Sequence, residues 1–259
     1  YVQLDSWTCA IANWLVAQGL QIGDRITILA TNSLEWGVLS QGVLRAGGLL
    51  APVNPRFTLS EAAYMVSRYE PKFIFHDSDR TETADAIGAQ FPAISVKNIA
   101  QINDFRNAAP DCCPREADIT PDTPIIIIPT SGSTAYPKGV IYSHRSMVNY
   151  IMDFALSEPQ AVESARVLVF GPMCTSAGYV VFTHILAYGG TVFMEEAFDA
   201  EKALQRIVED KINIMMGEEP LLKPLIDIPR MAEKCRDMLK RSLRAFIERD
   251  AEEAVRICE

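Results

Sequence analysis

The sequence is short of most features that would place it in a specialised class. No apolar run approaches the roughly 20 residues of a membrane-spanning helix; the longest, from Pro124 to Pro129, has the length of a strand. The first residue is Tyr1, and no basic stretch leading into an apolar one follows it, so no secretory leader is expected. Cysteine is sparse. Cys9, Cys112, Cys113, Cys174, Cys235 and Cys258 form no CxxC pair and no zinc-type spacing, which predicts reduced thiols in a cytoplasmic chain. Positive charge is also in deficit: 24 Lys and Arg against 33 Asp and Glu leave a formal net charge of -9. That argues against broad nucleic-acid binding, which depends on a basic face. It does not exclude a small anion such as a nucleotide, which needs only a local cradle. No internal repeat or low-complexity tract is present.

What remains is an ordinary globular composition, 49% hydrophobic and 22% charged, with room for one large core or two modest ones. Apolar residues recur at helical spacing from Leu4 to Gln18. Arg25 to Ala30 is a short β-branched run that reads as a buried strand, and Asn32 and Ser33 can cap a helix running to about Arg45. After Gly47-Gly48 the pattern continues with a strand from Leu49 to Val53, a helix opened by Ser60-Glu61, a strand from Lys72 to His76 and a weaker helix from Thr83 to Phe91. Asn98 to Asp122 is polar and poorly periodic, a surface connection. Alternation then resumes: strands at Ile125–Ile128, Val167–Phe170, Thr191–Met194 and Ile212–Met215, with helices at Met147–Leu156, Tyr179–Tyr188 and Ala200–Asp210. The alternation predicts an α/β fold of layered, largely parallel sheets with flanking helices. After Gly217 the strands stop, and residues from Met231 onward show two amphipathic helical patterns. Two segments are therefore expected, 1–217 and an α-helical 218–259.

The chemically informative stretch is Pro129-Thr130-Ser131-Gly132-Ser133-Thr134-Ala135-Tyr136-Pro137-Lys138-Gly139-Val140, directly after an isoleucine-rich strand. Small residues let backbone N–H groups approach an anion, hydroxyls donate further hydrogen bonds, and one lysine supplies a point charge. A solvated turn could have the same composition. A Walker A loop does not fit. Pro137 stands where its second glycine belongs and has no N–H to offer, and Gly139 replaces the magnesium-binding hydroxyl.

This stretch closely resembles the T-S-G-[ST]-T-G-x-P-K-G-V motif of the adenylate-forming superfamily, the AMP-dependent synthetases and ligases that include acyl-CoA synthetases. Asp24-Arg25 through Asn32-Ser33, Leu44-Arg45-Ala46-Gly47-Gly48 through Asn54-Pro55, and Gly189-Gly190-Thr191-Val192 with Phe198-Asp199 resemble three further family stretches. The resemblance covers about Tyr1 to Gly217, and Tyr142-Ser143-His144-Arg145-Ser146 leans toward fatty or related acids. It implies activation of a carboxylic acid by Mg-ATP as an acyl-adenylate, followed by transfer to coenzyme A. It places Thr130, Ser131, Gly132, Ser133, Thr134, Lys138 and Gly139 around the β- and γ-phosphates, with Thr134 near Mg2+. Small-molecule acid and nucleotide are the implied partners, with no nucleic acid.

Three departures stand out. Ala135 replaces a glycine, and Met173-Cys174-Thr175 stands where the family places an aromatic-histidine pair at its acyl pocket. The Y-G-x-T-E motif, the ribose-binding aspartate and the C-terminal lysine are not found, so these 259 residues are expected to be a truncated form that adenylates nothing at a useful rate. Finally, Leu221 to Glu233 resembles a stretch of PhoU-type phosphate-signalling proteins. That leaves an alternative: a non-enzymatic nucleotide- or phosphate-binding fragment joined to a regulatory helix pair, with a seam near Gly217 to Pro220. A divergent synthetase helix also fits.

Among other candidates, His76 and His184 read as packed residues, while His144 directly follows the loop region and could orient its helix. Ser176-Ala177-Gly178 lacks the first glycine of a nucleophile elbow, and Cys174 has no partner histidine in sequence.

Overall fold

The structure is a computed structural model that describes residues 1–106, 114, 118–130, 138–157 and 164–215. It divides into two compact units, Tyr1–Glu158 with Pro172–His184, and Pro159–Gly171 with Ile185–Glu259. The expected boundary at Gly217 and the helical segment beyond it lie outside the described residues.

In the first unit, helix α1 (Val2–Ala17) leads into strand β1 (Arg25–Leu29), helix α2 (Leu34–Arg45), strand β2 (Leu49–Leu50), helix α3 (Leu59–Tyr69) and strand β3 (Phe73–His76). Helix α4 (Thr81–Gln90), strand β4 (Ser95–Asn98) and the short α5 (Ile102–Phe105) follow. Strand β5 (Pro124–Thr130), strand β6 (Lys138–Ser143), helix α6 (His144–Ser157) and helix α7 (Ser176–Ala187) come next, the last with its final residues in the second unit. The sheet has the order β4-β3-β1-β2-β5-β6; β1 to β5 are parallel and β6 returns antiparallel along β5. The largely parallel α/β layering expected from the alternation is thus what forms.

Local chemistry sets the element ends. Ser33 caps α2, its side chain accepting a hydrogen bond from the Trp36 N–H at 3.1 Å. The same helix ends in a Schellman motif: the Gly48 N–H donates to Val43 O and the Gly47 N–H to Leu44 O, with Gly47 at φ +74. A capping box of Thr58 and Glu61 opens α3, one residue before the expected start. Strand pairing at β2 stops at Leu50, short of the expected Val53, although the Ala51 and Val53 N–H groups still donate to Ile26 O and Ile28 O. Central strands β1 and β3 are buried almost throughout, as strands covered on both faces must be. Trp14 of α1 packs on Phe73 and Phe75 on one face. On the other lie Leu29, Ala51, Val53, Ala62, Met65 and Val66.

In the second unit β7 (Arg166–Val169), β8 (Thr191–Met194), α8 (Ala200–Glu209) and β9 (Ile214–Met215) form a parallel three-stranded sheet of order β8-β7-β9 with its helix. Leu168, Phe170, Ala203, Leu204 and Ile212 make its core. Asp199 caps α8 by accepting from the Lys202 N–H at 2.8 Å. The buried Glu195 is held by Lys202 and by Arg206, the latter at 3.0 Å.

The cysteine expectation needs one correction. Cys9 is disulfide-bonded, whereas Cys174 is a buried free thiol.

Candidate functional site

Because β1 to β5 run parallel, their carboxyl ends share one edge of the sheet, the edge at which open α/β sheets take up ligands. The hydroxyl-rich loop leaves from that edge. Ser131, Gly132, Ser133 and Thr134 lie outside the described residues, but the residues flanking the loop are described. Thr130 is the last residue of β5 and Lys138 the first of β6, and the two face each other in the ladder, followed by Pro129 with Gly139 and Ile128 with Val140. The Thr130 hydroxyl donates to the Lys138 carbonyl at 3.2 Å. Thr130, Lys138 and Gly139 are all exposed. Strands β5 and β6 are therefore the two arms of a β-hairpin, and β6 is an element that the sequence reading missed.

That strand changes the position of His144. Six residue steps along β6 and into α6 separate it from Lys138 at the loop's end by about 20 Å, so the histidine stands at the foot of the hairpin rather than beside its tip. There the α6 N-terminus is closed by Ser143 and Ser146, whose side chains each accept from the other's backbone N–H. Arg145 forms a bidentate pair with Asp122 at 2.8 and 3.2 Å, which holds the aspartate carboxyl below its ordinary range. A groove of about 430 Å³ lies here, lined by Ile119, Thr120, Pro121, His144, Arg145, Val148 and Asn149. His144 is half-buried, and burial disfavours its protonated form. This groove lies at the other end of the hairpin from Thr130 and Lys138.

A second cluster occupies the carboxyl edge itself. The Thr31 N–H and hydroxyl donate to Asp77 just beyond β3, at 2.7 and 3.1 Å. The next residue, Asn32, accepts from the Met173 N–H at 2.8 Å in the interior. Asn32 therefore serves a distant segment, and Ser33 is the residue that caps α2. The anchored segment contains the departure noted in sequence. Thr175 caps α7, donating to Pro172 O at 2.7 Å and accepting from the Gly178 N–H. Cys174 is 2% exposed, and burial raises its thiol to about 11. A thiol so poised is protonated at neutral pH and is no nucleophile. His184, packed edge-on against Phe154, is a core residue as expected, and so is the buried His76. Among the described residues no group of three or more His, Cys, Asp or Glu is assembled that could hold a metal ion.

The family model of AMP-binding enzymes matches residues 1–255. The chain belongs to the AMP-binding enzyme family. The match runs through the seam suspected near Gly217 to Pro220, so neither the PhoU-type resemblance nor the phosphate-regulatory alternative built on it is supported. Among similar proteins is the long-chain-fatty-acid–CoA ligase FadD13 of Mycobacterium tuberculosis, 28% identical over 240 residues, covering 90% of this chain and 47% of that protein. Among solved structures, the inhibitor-bound N-terminal domain of FACL13 from Mycobacterium tuberculosis aligns with a TM-score of 0.81 at 26% identity, covering 88% of this chain and 58% of that one. ATP-bound MatB from Rhodopseudomonas palustris aligns with a TM-score of 0.79 at 26% identity, covering 92% and 47% respectively. This AMP-binding chain thus spans about half the length of the curated relatives it matches. Among its described residues no helix is long and apolar enough to cross a membrane.

Proposed function

We propose that this chain supplies the nucleotide-phosphate portion of an AMP-forming acid–thiol ligase that activates a carboxylic acid of the fatty or related class and passes it to coenzyme A. The observation that carries the reading is the pairing of Thr130 with Lys138 at the mouth of the hydroxyl-rich loop, on the carboxyl edge of the parallel sheet. Membership of the AMP-binding family, the ATP in the MatB structure and the fatty-acid–CoA ligase name of FadD13 support it.

In this reading Thr130, Ser131, Gly132, Ser133, Thr134, Lys138 and Gly139 surround the β- and γ-phosphates. A carboxylate oxygen of the acid attacks the α-phosphorus. A P–O bond forms there, the bond to the bridging oxygen breaks, and pyrophosphate departs. The thiol of coenzyme A then attacks the acyl carbon, and AMP leaves. Lys138 and the loop N–H groups neutralise the phosphates and hold the leaving group in line, which is positioning and electrostatic work rather than covalent chemistry. Mg2+ would arrive with the nucleotide, held largely by its phosphates and water rather than by a dedicated protein cage, and by motif position the Thr134 hydroxyl would lie near it. When bound, it supplies charge neutralisation at the phosphates. The change of texture after Gly217 then marks a boundary inside one family's chain, and the reaction takes place in a soluble, cytoplasmic setting.

The test is ATP–pyrophosphate exchange over short, medium and long carboxylic acids, beside Mg-ATP binding, with Lys138→Ala as control. Exchange with one class of acid that disappears in the variant supports the reading. Mg-ATP binding that ignores the substitution contradicts it.

A further inference from the structure

Gly139 sits in the motif as though to let a phosphate approach the backbone, and its surroundings in the hairpin give it a second task. It lies within β6, and its φ is not among the positive values, so backbone freedom is not what demands glycine here. Space is. A Cβ built on Gly139 would fall far inside van der Waals distance of Ile127 Cγ2. Ile127 stands opposite Ile141 in the ladder, which makes Gly139 its diagonal neighbour on the same face. The isoleucine cannot swing away cheaply. Its Cγ2 branches directly from Cβ, so moving it means changing χ1, and the side chain packs on the cluster of Leu29, Ala51, Val53 and Met65. Opposite Gly139 stands Pro129, which has no N–H to contribute to the ladder. A slip of one residue would turn Lys138 to the other face.

We propose that Gly139 is a positioning residue: it leaves room for Ile127 to lie across the foot of the loop, and this packing fixes the pairing of Thr130 with Lys138 that aims the lysine at the nucleotide. The inference rests on the nucleotide reading above and deepens it.

The experiment is a cycle of four chains, wild type, Gly139→Ala, Ile127→Ala and the double variant, with Mg-ATP affinity measured well below each melting transition. Overpacking of a fixed side chain displaces the loop, and Gly139→Ala is expected to weaken binding about tenfold or more. Removing the isoleucine's branch relieves the clash, so the double variant should bind within about threefold of Ile127→Ala alone. A double variant much weaker than Ile127→Ala would overturn the proposal and leave phosphate contact as the reason for glycine at this position. So would a Gly139→Ala chain with unchanged affinity. If Gly139→Ala does not fold, the comparison of the double variant with Ile127→Ala decides in the same way. A wild-type chain that binds no Mg-ATP defeats the nucleotide reading itself, an outcome distinct from failed rescue because all four chains are then silent.

Discussion

Asn32 and Met173 are 141 positions apart in sequence, and the side-chain oxygen of the first accepts the backbone N–H of the second at 2.8 Å in the interior of the first unit. The bond ties the carboxyl end of β1 to the segment that enters α7. Asn32→Ala would leave a buried N–H without its acceptor, at a cost of about 1–3 kcal/mol. Urea unfolding should show a lowered midpoint with an unchanged slope. A midpoint equal to wild type would mean that water replaces the side chain there.

Ser33, the next residue, has the local version of the same task. Ser33→Ala should cost about 1 kcal/mol through loss of the α2 cap, and Ser33→Asp should restore most of it. Far-ultraviolet circular dichroism during thermal unfolding reads both. Equal melting of Ser33→Ala and wild type would contradict the capping role.

Cys174 gives a pH signature. Its thiol is raised from 9.0 to about 11 by burial, so the unfolded chain releases its proton first. Stability associated with the neutral thiol is fully present below pH 9 and is lost as pH rises from 9 toward 11. Cys174→Ala should flatten that part of the stability profile. Iodoacetamide at pH 8 should leave the Cys174 peptide unmodified in the native chain and modify it in urea, read by mass spectrometry. Native labelling at pH 8 would show that the thiol is accessible and acidic.

His144 stands a strand's length from the loop, so His144→Gln should leave Mg-ATP affinity within about twofold. Its effect belongs to folding. Burial lowers its pKa, so acidification through the ordinary histidine range favours the unfolded state, and the variant should lose less stability than wild type as pH falls below about 6.5. A large loss of nucleotide affinity would place the imidazole in the site after all.

What could be read in sequence follows the range of the interactions. β1 and β3 announce themselves because strands buried on both faces are continuous apolar runs. The cap at Ser33 is legible because donor and acceptor lie three residues apart. β4 was hidden: Ser95–Asn98 has one strongly apolar residue, and it is a strand because it pairs with all of β3 at the sheet's edge. β6 was hidden differently. Val140 and Ile141 are both exposed, which breaks the alternation that marks a half-buried strand, and the motif residues beside them were read for phosphate chemistry rather than for pairing. The second roles of Asn32 and Gly139 could not be read locally, since Met173 is distant in the chain and Ile127 meets Gly139 only through the hairpin. The candidate site itself was legible in composition and motif, but its geometry was not, because register is a property of two strands together.

The most direct test of the account is the affinity of the chain for Mg-ATP and for AMP, measured in wild type and Lys138→Ala. The lysine is assigned to the β- and γ-phosphates. Loss of a charge-assisted contact worth about 1.5–3 kcal/mol should therefore weaken Mg-ATP binding at least tenfold and leave AMP binding nearly unchanged. Equal affinity for Mg-ATP in both chains, or a parallel loss for AMP, would contradict the assignment of the hairpin loop as the phosphate cradle.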